Sequence, residues 1–240
     1  LMAAVSASIR AGASVHCAPG FNALRVFQQF EEVRPTWYTA VPTMHQAIVG
    51  RAGRNREVID TLGLRFVRSS SSSLPPQVMA ELETVFGCPV IESYGMTEAS
   101  HQMASNPLPP APRKPGTVGI AAGPDIRLMN ADGKFVGPDE AGEIVIRGPN
   151  VTAGYENNPK ANAENFPPDP DGGPRWFRTG DEGRFDADGY LSITGRLKEI
   201  INRGGEKISP REVDEVLMDH DAVAQAVTFA VAHPKLGEEV

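Results

Sequence analysis

The stretch that decides the fold is residues 91–101, which read Ile-Glu-Ser-Tyr-Gly-Met-Thr-Glu-Ala-Ser-His. It begins as an apolar strand, and the strand is predicted to end in a turn at Gly95. Open α/β sheets bind their ligands at such strand ends. Tyr94 offers a flat ring to a base, Thr97 offers a hydroxyl to a phosphate, and Glu98 offers a hard oxygen ligand to Mg²⁺. Taken alone, the pattern is equally consistent with a strand, a glycine turn and a solvated glutamate.

The residues before this stretch alternate between strand patterns and helix patterns. Pro75 and Pro76 begin a helix that Gly87 is predicted to end. Strands that alternate with helices of this length predict right-handed βαβ units and a largely parallel sheet. Residues 1–105 are therefore expected to be an α/β portion of a larger domain. The predicted strands before the stretch span residues 13–17, 36–41 and 64–67.

The composition changes after Ser105, because five prolines stand between residues 107 and 115. This region cannot be helical and is expected to be an extended connector. Beyond it, residues 125–129 and 143–147 alternate like half-buried strands, and the Asn-Ala-Asp-Gly sequence that follows the first of them predicts a hairpin turn. We therefore expect residues 106–196 to form a small antiparallel β subdomain.

Residues 197–240 are expected to begin a second domain of the α+β class. Ser209 is the predicted N-cap of a helix, because a proline and a glutamate follow it at the positions of a capping box. This helix is expected to bury Val213, Val216 and Leu217. Residues 222–231 then alternate like a strand.

The composition excludes several classes of partner. The chain has 240 residues, of which 40% are hydrophobic and 22% are charged, as in an ordinary soluble globular protein. Its formal net charge is −7 and it has no block of basic residues, so neither nucleic acid nor an anionic membrane surface is expected as a partner. No apolar run is long enough to span a membrane, and the two cysteines suit a reducing, cytoplasmic location. The sequence leaves open whether the protein forms a homo-oligomer.

Three further motifs follow the first stretch in order. They are Gly-Glu-Ile-Val-Ile-Arg-Gly-Pro-Asn at residues 142–150, Trp-Phe-Arg-Thr-Gly-Asp at residues 176–181, and Gly-Arg-Leu-Lys-Glu-Ile-Ile-Asn-Arg-Gly-Gly-Glu-Lys-Ile-Ser-Pro at residues 195–210. Together with Tyr-Gly-Met-Thr-Glu, they resemble the motifs of the adenylate-forming superfamily in order and in spacing. This superfamily includes acyl-CoA synthetases, luciferases and peptide-synthetase adenylation domains. The four motifs extend over most of the chain.

The resemblance implies both a fold and an activity. Residues 1–105 and 106–196 would be parts of the large N-terminal domain of an adenylate-forming enzyme, and residues 197–240 would be the truncated start of its C-terminal domain. The implied activity is that of an ATP-dependent acid–CoA ligase, which forms an acyl-adenylate and then an acyl-CoA. ATP (with AMP as product), Mg²⁺ and coenzyme A are the implied cofactors, and a small-molecule carboxylic acid is the implied partner.

The resemblance also implies the residues of a nucleotide site. Asp181 would bind the ribose, because a carboxylate can accept hydrogen bonds from its hydroxyls. The alternative is that Asp181 is a turn residue that caps its own loop. Arg196 would contact the ribose and phosphate region. Thr97 and Glu98 would be catalytic, and Glu98 would be the Mg²⁺ ligand. The full set implied for the nucleotide comprises Ser71, Ser72, Ser73, Glu92, Ser93, Tyr94, Gly95, Met96, Thr97, Asp181 and Arg196.

Residues for the acid, the hinge and coenzyme A are implied in the same way. Ser70 and His101 would line the acyl pocket. Lys198 would be the hinge about which a C-terminal domain rotates, and Gly204 and Gly205 would line the pantetheine tunnel. The sequence around the histidine, Met-Thr-Glu-Ala-Ser-His-Gln-Met-Ala-Ser-Asn-Pro-Leu-Pro, closely resembles the oxalate–CoA ligase subgroup, in which this histidine helps to hold the free carboxylate. A general acyl-CoA synthetase is the alternative.

Two parts of the superfamily's machinery are absent from these residues. They are the Ser/Thr/Gly-rich phosphate loop with its lysine, and the catalytic lysine near the C-terminus. The chain also begins without Met, so we expect a fragment that binds nucleotide weakly and does not turn over by itself. Within the superfamily, a carrier-protein-loading adenylation domain is the alternative function. A non-catalytic nucleotide-binding module is the alternative from another class.

Overall fold

The computed structural model describes residues 2–220, 222–223 and 225–240, and the chain divides into two compact units. Unit 1 contains helices and one mixed sheet, whereas unit 2 contains antiparallel sheets with two helices. The division predicted at residues 105/106 and 196/197 stays a prediction. Unit 1 comprises Leu1–Pro124 with Asn150–Thr152, and unit 2 comprises Asp125–Pro149 with Ala153–Val240.

The sheet of unit 1 has the order β1-β2-β3-β4-β5. Strands β1, β2 and β3 run parallel, as predicted, whereas the short strands β4 and β5 are added antiparallel. The strands are β1 (Trp37–Ala40), β2 (Phe66–Ser70), β3 (Val90–Tyr94), β4 (Ala104–Ser105) and β5 (Ile120–Ala121). The helices are α1 (Met2–Arg10), α2 (Val26–Val33), α3 (Pro42–Ala52), α4 (Arg56–Thr61) and α5 (Pro76–Phe86), with a 3₁₀ turn at Thr97–Ala99.

Helix α5 covers one face of the parallel strands. Val67 on β2 and Val90 on β3 are fully buried in one apolar cluster with Leu82 of this helix. Each such side chain contributes about 1.5–3 kcal/mol by burial. Gly87 ends the helix at a φ of 62°, and its N–H donates to the carbonyl oxygen of Glu83. The predicted helix and its glycine end are therefore confirmed.

The first predicted strand does not form. Residues 13–17 have no regular secondary structure, and all of them are exposed. Strand β1 is an edge of the sheet, and among the described residues this segment makes no ladder with it. The prediction was wrong because an alternating sequence becomes a strand only where a neighbouring strand pairs with its backbone groups.

The described part of unit 2 contains two antiparallel sheets, and the first of them confirms the antiparallel β structure predicted within residues 106–196. The first sheet has the order β6-β7-β8-β9 and the second has the order β11-β10-β13-β12. The first consists of β6 (Asp125–Met129), β7 (Gly142–Arg147), β8 (Phe177–Phe185) and β9 (Leu191–Arg196). The second consists of β10 (Ile201–Arg203), β11 (Glu206–Ile208), β12 (Val231–His233) and β13 (Gly237–Glu239), and the helices are α6 (Pro159–Asn165) and α7 (Pro210–Met218).

Two turns of unit 2 use the same side-chain hydrogen bonds. The side-chain oxygen of Asn130 accepts from the backbone N–H groups two and four residues later, and Asp186 does the same between β8 and β9. These are Asx-type turns, in which a short polar side chain substitutes for a backbone acceptor. The turn predicted after β6 is therefore confirmed.

Helix α7 begins as predicted but leaves its apolar residues exposed. Ser209 caps the helix by accepting a hydrogen bond from the N–H of Glu212, and its hydroxyl donates to the carbonyl oxygen of Thr194 on β9. Val216 and Leu217 are 67% and 47% exposed, so the prediction that the helix buries them was wrong. The hydrogen bonds to β9 come from the first turn of the helix, which leaves its later turns in solvent.

The strand predicted over residues 222–231 is also wrong in its extent. Strand β12 begins only at Val231, and the described residues before it have no strand structure. Residue 224 lies outside the described part of the chain. Val227 and Phe229 are exposed, so alternation in this segment does not reflect burial of one face.

A buried histidine on α3 is expected to make the folded protein less stable at acid pH. His45 is fully buried, and its Nδ1 lies 3.4 Å from the hydroxyl oxygen of Tyr38. Burial lowers the pKa of His45 from 6.5 to about 4. The unfolded chain therefore binds more protons than the folded chain between these two pKa values, and stability is lost as the pH falls through this window.

We predict that this residue alone lowers the free energy of unfolding by about 2 kcal/mol between about pH 7 and about pH 4.5. Urea denaturation at several pH values measures the effect. His45→Leu should flatten the dependence on pH in this window, whereas the same change at the exposed His16 should not. An equal pH dependence in the wild type and in His45→Leu would contradict the assignment.

Candidate functional site

The candidate site begins in the loop that follows β3. Tyr94 is buried at the end of this strand, and Gly95 comes next in a position with no room for a side chain. A Cβ atom on Gly95 would lie 1.4 Å from the carbonyl oxygen of His101. The N–H of His101 in turn donates to the carbonyl oxygen of Met96 at 2.9 Å. The chain therefore closes on itself between Gly95 and His101.

The closed loop presents Thr97 and Glu98 on its 3₁₀ turn. Thr97 is exposed and Glu98 is half-buried. A segment far along the chain holds this turn: the N–H of Thr152 donates to the carbonyl oxygen of Glu98 at 2.7 Å, and the side-chain amide of Asn150 donates to that of Ala99 at 2.9 Å. Sequence reasoning missed this support, although Asn150 ends the Gly-Glu-Ile-Val-Ile-Arg-Gly-Pro-Asn motif.

The serine-rich loop after β2 is tied to β3 by a buried carboxylate. Oε1 of Glu92 accepts a hydrogen bond from the N–H of Leu74 at 3.0 Å. Ser71 has a φ of 84°, and both it and Ser72 are exposed, whereas Ser73 is half-buried. Glu92 therefore holds the end of the loop, and the exposed serines are the part of the loop that a ligand can reach.

Ser70 and Ser93 occupy a different position from the loop serines. Both are buried within paired strands, opposite each other in the register of β2 and β3. The hydroxyl of Ser93 lies 3.4 Å from the carbonyl oxygen of Ser69. These two predicted site residues belong to the interior of the sheet at the end of the strands.

Asp181 lies in β8 of unit 2 and pairs with Arg196 of β9. The carboxylate is buried, with Oδ1 3.1 Å from Nε of Arg196, whose side chain is 63% exposed. The hydroxyl of Thr179 accepts from the N–H of Asp181 at 3.1 Å and donates to the carbonyl oxygen of Ile144 at 2.8 Å. Gly180 turns the chain between them at a φ of 75°. The turn thus holds the carboxylate in a fixed orientation.

Glu143 supports this turn, and sequence reasoning missed it. Its buried carboxylate accepts from the guanidinium of Arg178 at 2.5 Å and 2.7 Å and from the N–H of Gly180 at 3.1 Å. A register shift between β7 and β8 follows Glu143. The only signal in the sequence is that a glutamate stands at the second position of the 142–150 motif.

The predicted hinge and CoA residues lie in turns of unit 2. Lys198 is exposed between β9 and β10. Gly204 and Gly205 connect β10 to β11, with φ values of 61° and 100° that other residues rarely adopt. A Cβ atom on Gly204 would lie 3.1 Å from the side chain of Leu236, so this turn also packs closely against its own unit.

The surroundings of His101 favour its neutral form. Burial, together with the positive charge of Arg68, lowers the pKa of His101 below its ordinary value of 6.5. Its Nδ1 is buried and has no hydrogen-bond partner among the described residues. The neutral imidazole of His101 can therefore form a hydrogen bond with a ligand.

The described residues contain no group of three or more His, Cys, Asp or Glu that is placed to hold a metal ion. Magnesium in nucleotide sites usually takes one or two carboxylates and completes its shell with phosphate oxygens and water. The single carboxylate of Glu98 fits that requirement.

None of the helices in the described part of the chain has the length and apolar character needed to cross a membrane.

Comparison with known proteins agrees with the motifs. The family described as AMP-binding enzyme matches residues 1–156, which is more than half of the chain. The chain belongs to this family. This match confirms the family that the sequence motifs predicted. The mixed α/β structure confirms the predicted fold class.

Curated relatives and a solved structure extend the match beyond residue 156. The chain is 49% identical over 243 residues to an oxalate–CoA ligase of Arabidopsis thaliana, covering 100% of this chain and 46% of the relative. It is 43% identical over 240 residues to an oxalate–CoA ligase of Saccharomyces cerevisiae, covering 100% of this chain and 43% of the relative. The crystal structure of ATP-bound MatB from Rhodopseudomonas palustris superposes with a TM-score of 0.87 at 30% identity, covering 98% of this chain and 45% of that chain. The chain thus spans about half the length of the curated relatives it matches.

We predict that Glu143→Ala accelerates hydrogen exchange at the N–H of Gly180, because this group loses its acceptor. The free energy of unfolding should fall by about 1–3 kcal/mol, because the N–H of Gly180 loses its charged acceptor, whereas the half-exposed guanidinium of Arg178 can bind water. Exchange measured by mass spectrometry and urea denaturation test the two effects. The exposed Glu140 is the control, and Glu140→Ala should change neither quantity. Unchanged exchange at Gly180 in the Glu143 variant would contradict the role.

Proposed function

We propose that the protein to which this chain belongs is an ATP-dependent acid–CoA ligase. In the first step, a carboxylate oxygen of the acid attacks the α-phosphorus of ATP, and pyrophosphate leaves with the electrons of the broken P–O bond. In the second step, the thiol of coenzyme A attacks the acyl carbon, and AMP and a proton are released. The observation that carries this proposal is the closed loop from Tyr94 to His101, which stands at a strand end and carries the family's motif.

Tyr94 and Asp181 are the proposed contacts to the nucleoside. The tyrosine ring would lie against the base, beside the exposed loop of Ser71, Ser72 and Ser73. Asp181 would accept hydrogen bonds from the ribose hydroxyls. The hydrogen bond from its N–H to the hydroxyl of Thr179 favours this role, because a carboxylate held in place loses little conformational freedom on binding. Glu92 would act by holding the serine loop. Ser93, Gly95 and Met96 would contribute by shaping the strand end.

Thr97, Glu98 and Arg196 are the proposed residues for the phosphates. The exposed hydroxyl of Thr97 would donate to a phosphate oxygen. Arg196 is well exposed, so it can reach a phosphate while it stays on β9. Glu98 would hold Mg²⁺, and this ion, when bound, supplies charge neutralisation at the phosphates.

The second step would use residues of unit 2. We propose Lys198 as the hinge position, because it lies in an exposed turn between two strands. Gly204 and Gly205 are proposed to contact coenzyme A, since a glycine turn lets a ligand approach the backbone closely.

Oxalate is the proposed acid, and Ser70 and His101 are its proposed contacts. Two curated relatives that the chain matches over its whole length are named oxalate–CoA ligases. The buried, unpartnered Nδ1 of His101 supports the role, because a buried polar atom needs a partner that a bound acid can supply.

The test is pyrophosphate release by the full-length protein with ATP and a panel of carboxylic acids, followed by AMP release on addition of coenzyme A. We expect activity with oxalate, and a loss of at least about 100-fold in Glu98→Ala, since a metal contributes several kcal/mol to charge stabilisation. The exposed Glu81 on α5 is the control, and Glu81→Ala should be fully active.

Two results would contradict the proposal. Pyrophosphate release with transfer to a carrier protein, and none to coenzyme A, would favour a carrier-protein-loading adenylation domain. Nucleotide binding without pyrophosphate release, for every acid tested, would favour a non-catalytic module.

A further inference from the structure

Arg68 is a buried cation that has no anionic partner among the described residues. It lies on β2 and is 6% exposed. One terminal nitrogen, Nη1, donates to the hydroxyl of Thr39 at 3.3 Å. The other, Nη2, is buried and has no hydrogen-bond partner in the described part of the chain. No carboxylate of the described residues forms an ion pair with this guanidinium.

This arrangement is costly for a folded protein. A buried charge normally has a partner of opposite sign, because removing it from water costs several kcal/mol. Burial lowers the pKa of Arg68, which reports the same cost, yet a guanidinium is too basic to lose its proton at neutral pH. Arg68 therefore stays charged and leaves part of its forked set of donors unused. That fork matches the two oxygens of a carboxylate.

The surroundings of Arg68 connect it with the proposed acid site. In the register of the sheet, it stands opposite Thr39 on β1 and Ile91 on β3. Ser70 is two residues further along β2, on the same face of the strand. Burial lowers the pKa of His101, and the positive charge of Arg68 also contributes to this shift. Nη2 of Arg68 and Nδ1 of His101 are both buried without a hydrogen-bond partner among the described residues, and His101 follows the end of β3, the strand that pairs with β2.

We propose that Arg68 binds the free carboxylate of the acid substrate and selects acids that carry a second anionic group. The inference rests on the proposed function and assigns the charge in its acid site. Arg68 supplies the positive charge, and neutral His101 adds a hydrogen bond. A monocarboxylic acid leaves the guanidinium unpaired and is therefore a poor substrate.

The experiment compares oxalate with acetate in the full-length protein, with kcat/KM measured from pyrophosphate release. Arg68→Met should lower the value for oxalate by about 100-fold or more, because it removes one partner of a buried charge pair. The value for acetate should stay the same or rise, and the KM for ATP should not change. The exposed Arg65, which lies just before the same strand, is the control, and Arg65→Met should behave like the wild type. An equal loss with both acids, or no loss with oxalate, would overturn the proposal.

If Arg68→Met does not fold, NMR of the wild-type protein still tests the proposal. Oxalate added to the wild type should shift the NMR resonances of the Arg68 guanidinium and the His101 imidazole, whereas acetate at the same concentration should not. If these resonances do not respond to oxalate, the proposal is wrong.

Direct binding separates this inference from the proposed function. If the wild type releases no pyrophosphate with any acid, the ligase assignment fails, but calorimetric titration with oxalate still tests Arg68. Binding in the wild type that is lost in Arg68→Met supports the anion site on its own. The absence of oxalate binding in the wild type overturns it.

Discussion

The close contact between Gly95 and the carbonyl oxygen of His101 is the constraint on which the candidate site depends. It leaves no space for a Cβ atom, so any other residue at this position would have to push the loop open. The hydrogen bond from the N–H of His101 to Met96 closes the loop from the other side. Because the loop is closed, Thr97 and Glu98 stand at the end of β3, and His101 returns to the same strand end. The absence of a side chain at Gly95 thus allows the loop conformation that positions Thr97, Glu98 and His101, which the proposed chemistry uses.

Glu92, Glu143 and Arg68 are buried charged residues in the described part of the chain, and they differ in whether the protein supplies their partners. Glu92 accepts the N–H of Leu74, and Glu143 accepts both a guanidinium and the N–H of Gly180. These carboxylates hold loops, and their partners are part of the protein. Arg68 differs, because one end of its guanidinium has no partner in the described residues. A buried cation of this kind points to a ligand, whereas the satisfied carboxylates point to structure.

Features that depend on near neighbours in sequence could be predicted from the sequence. The glycine end of α5, the cap at Ser209 and the Asx turn at Asn130 each need only a few consecutive residues, and all three are confirmed. Features that depend on a distant partner could not. Among the described residues, no strand pairs with residues 13–17, and Val216 stays exposed on α7.

The same distinction explains which site residues were missed. Glu143 and Asn150 lie inside a recognised motif, but their roles follow from hydrogen bonds to groups far away in sequence. Arg68 gave no signal at all, because an arginine next to a serine run is typical of an exposed strand end. The structure shows that β2 lies between β1 and β3 and that Arg68 is buried there.

The proposed function requires that the loop after β3 and the carboxylate of Asp181 bind the same nucleotide. The most direct test is a crystal structure of the full-length protein with a non-reactive analogue of the acyl-adenylate. We predict that the ring of Tyr94 lies against the adenine and that the carboxylate oxygens of Asp181 are about 3 Å from the ribose hydroxyls. A nucleotide bound elsewhere, or an Asp181 carboxylate more than about 6 Å from the ribose, would contradict it.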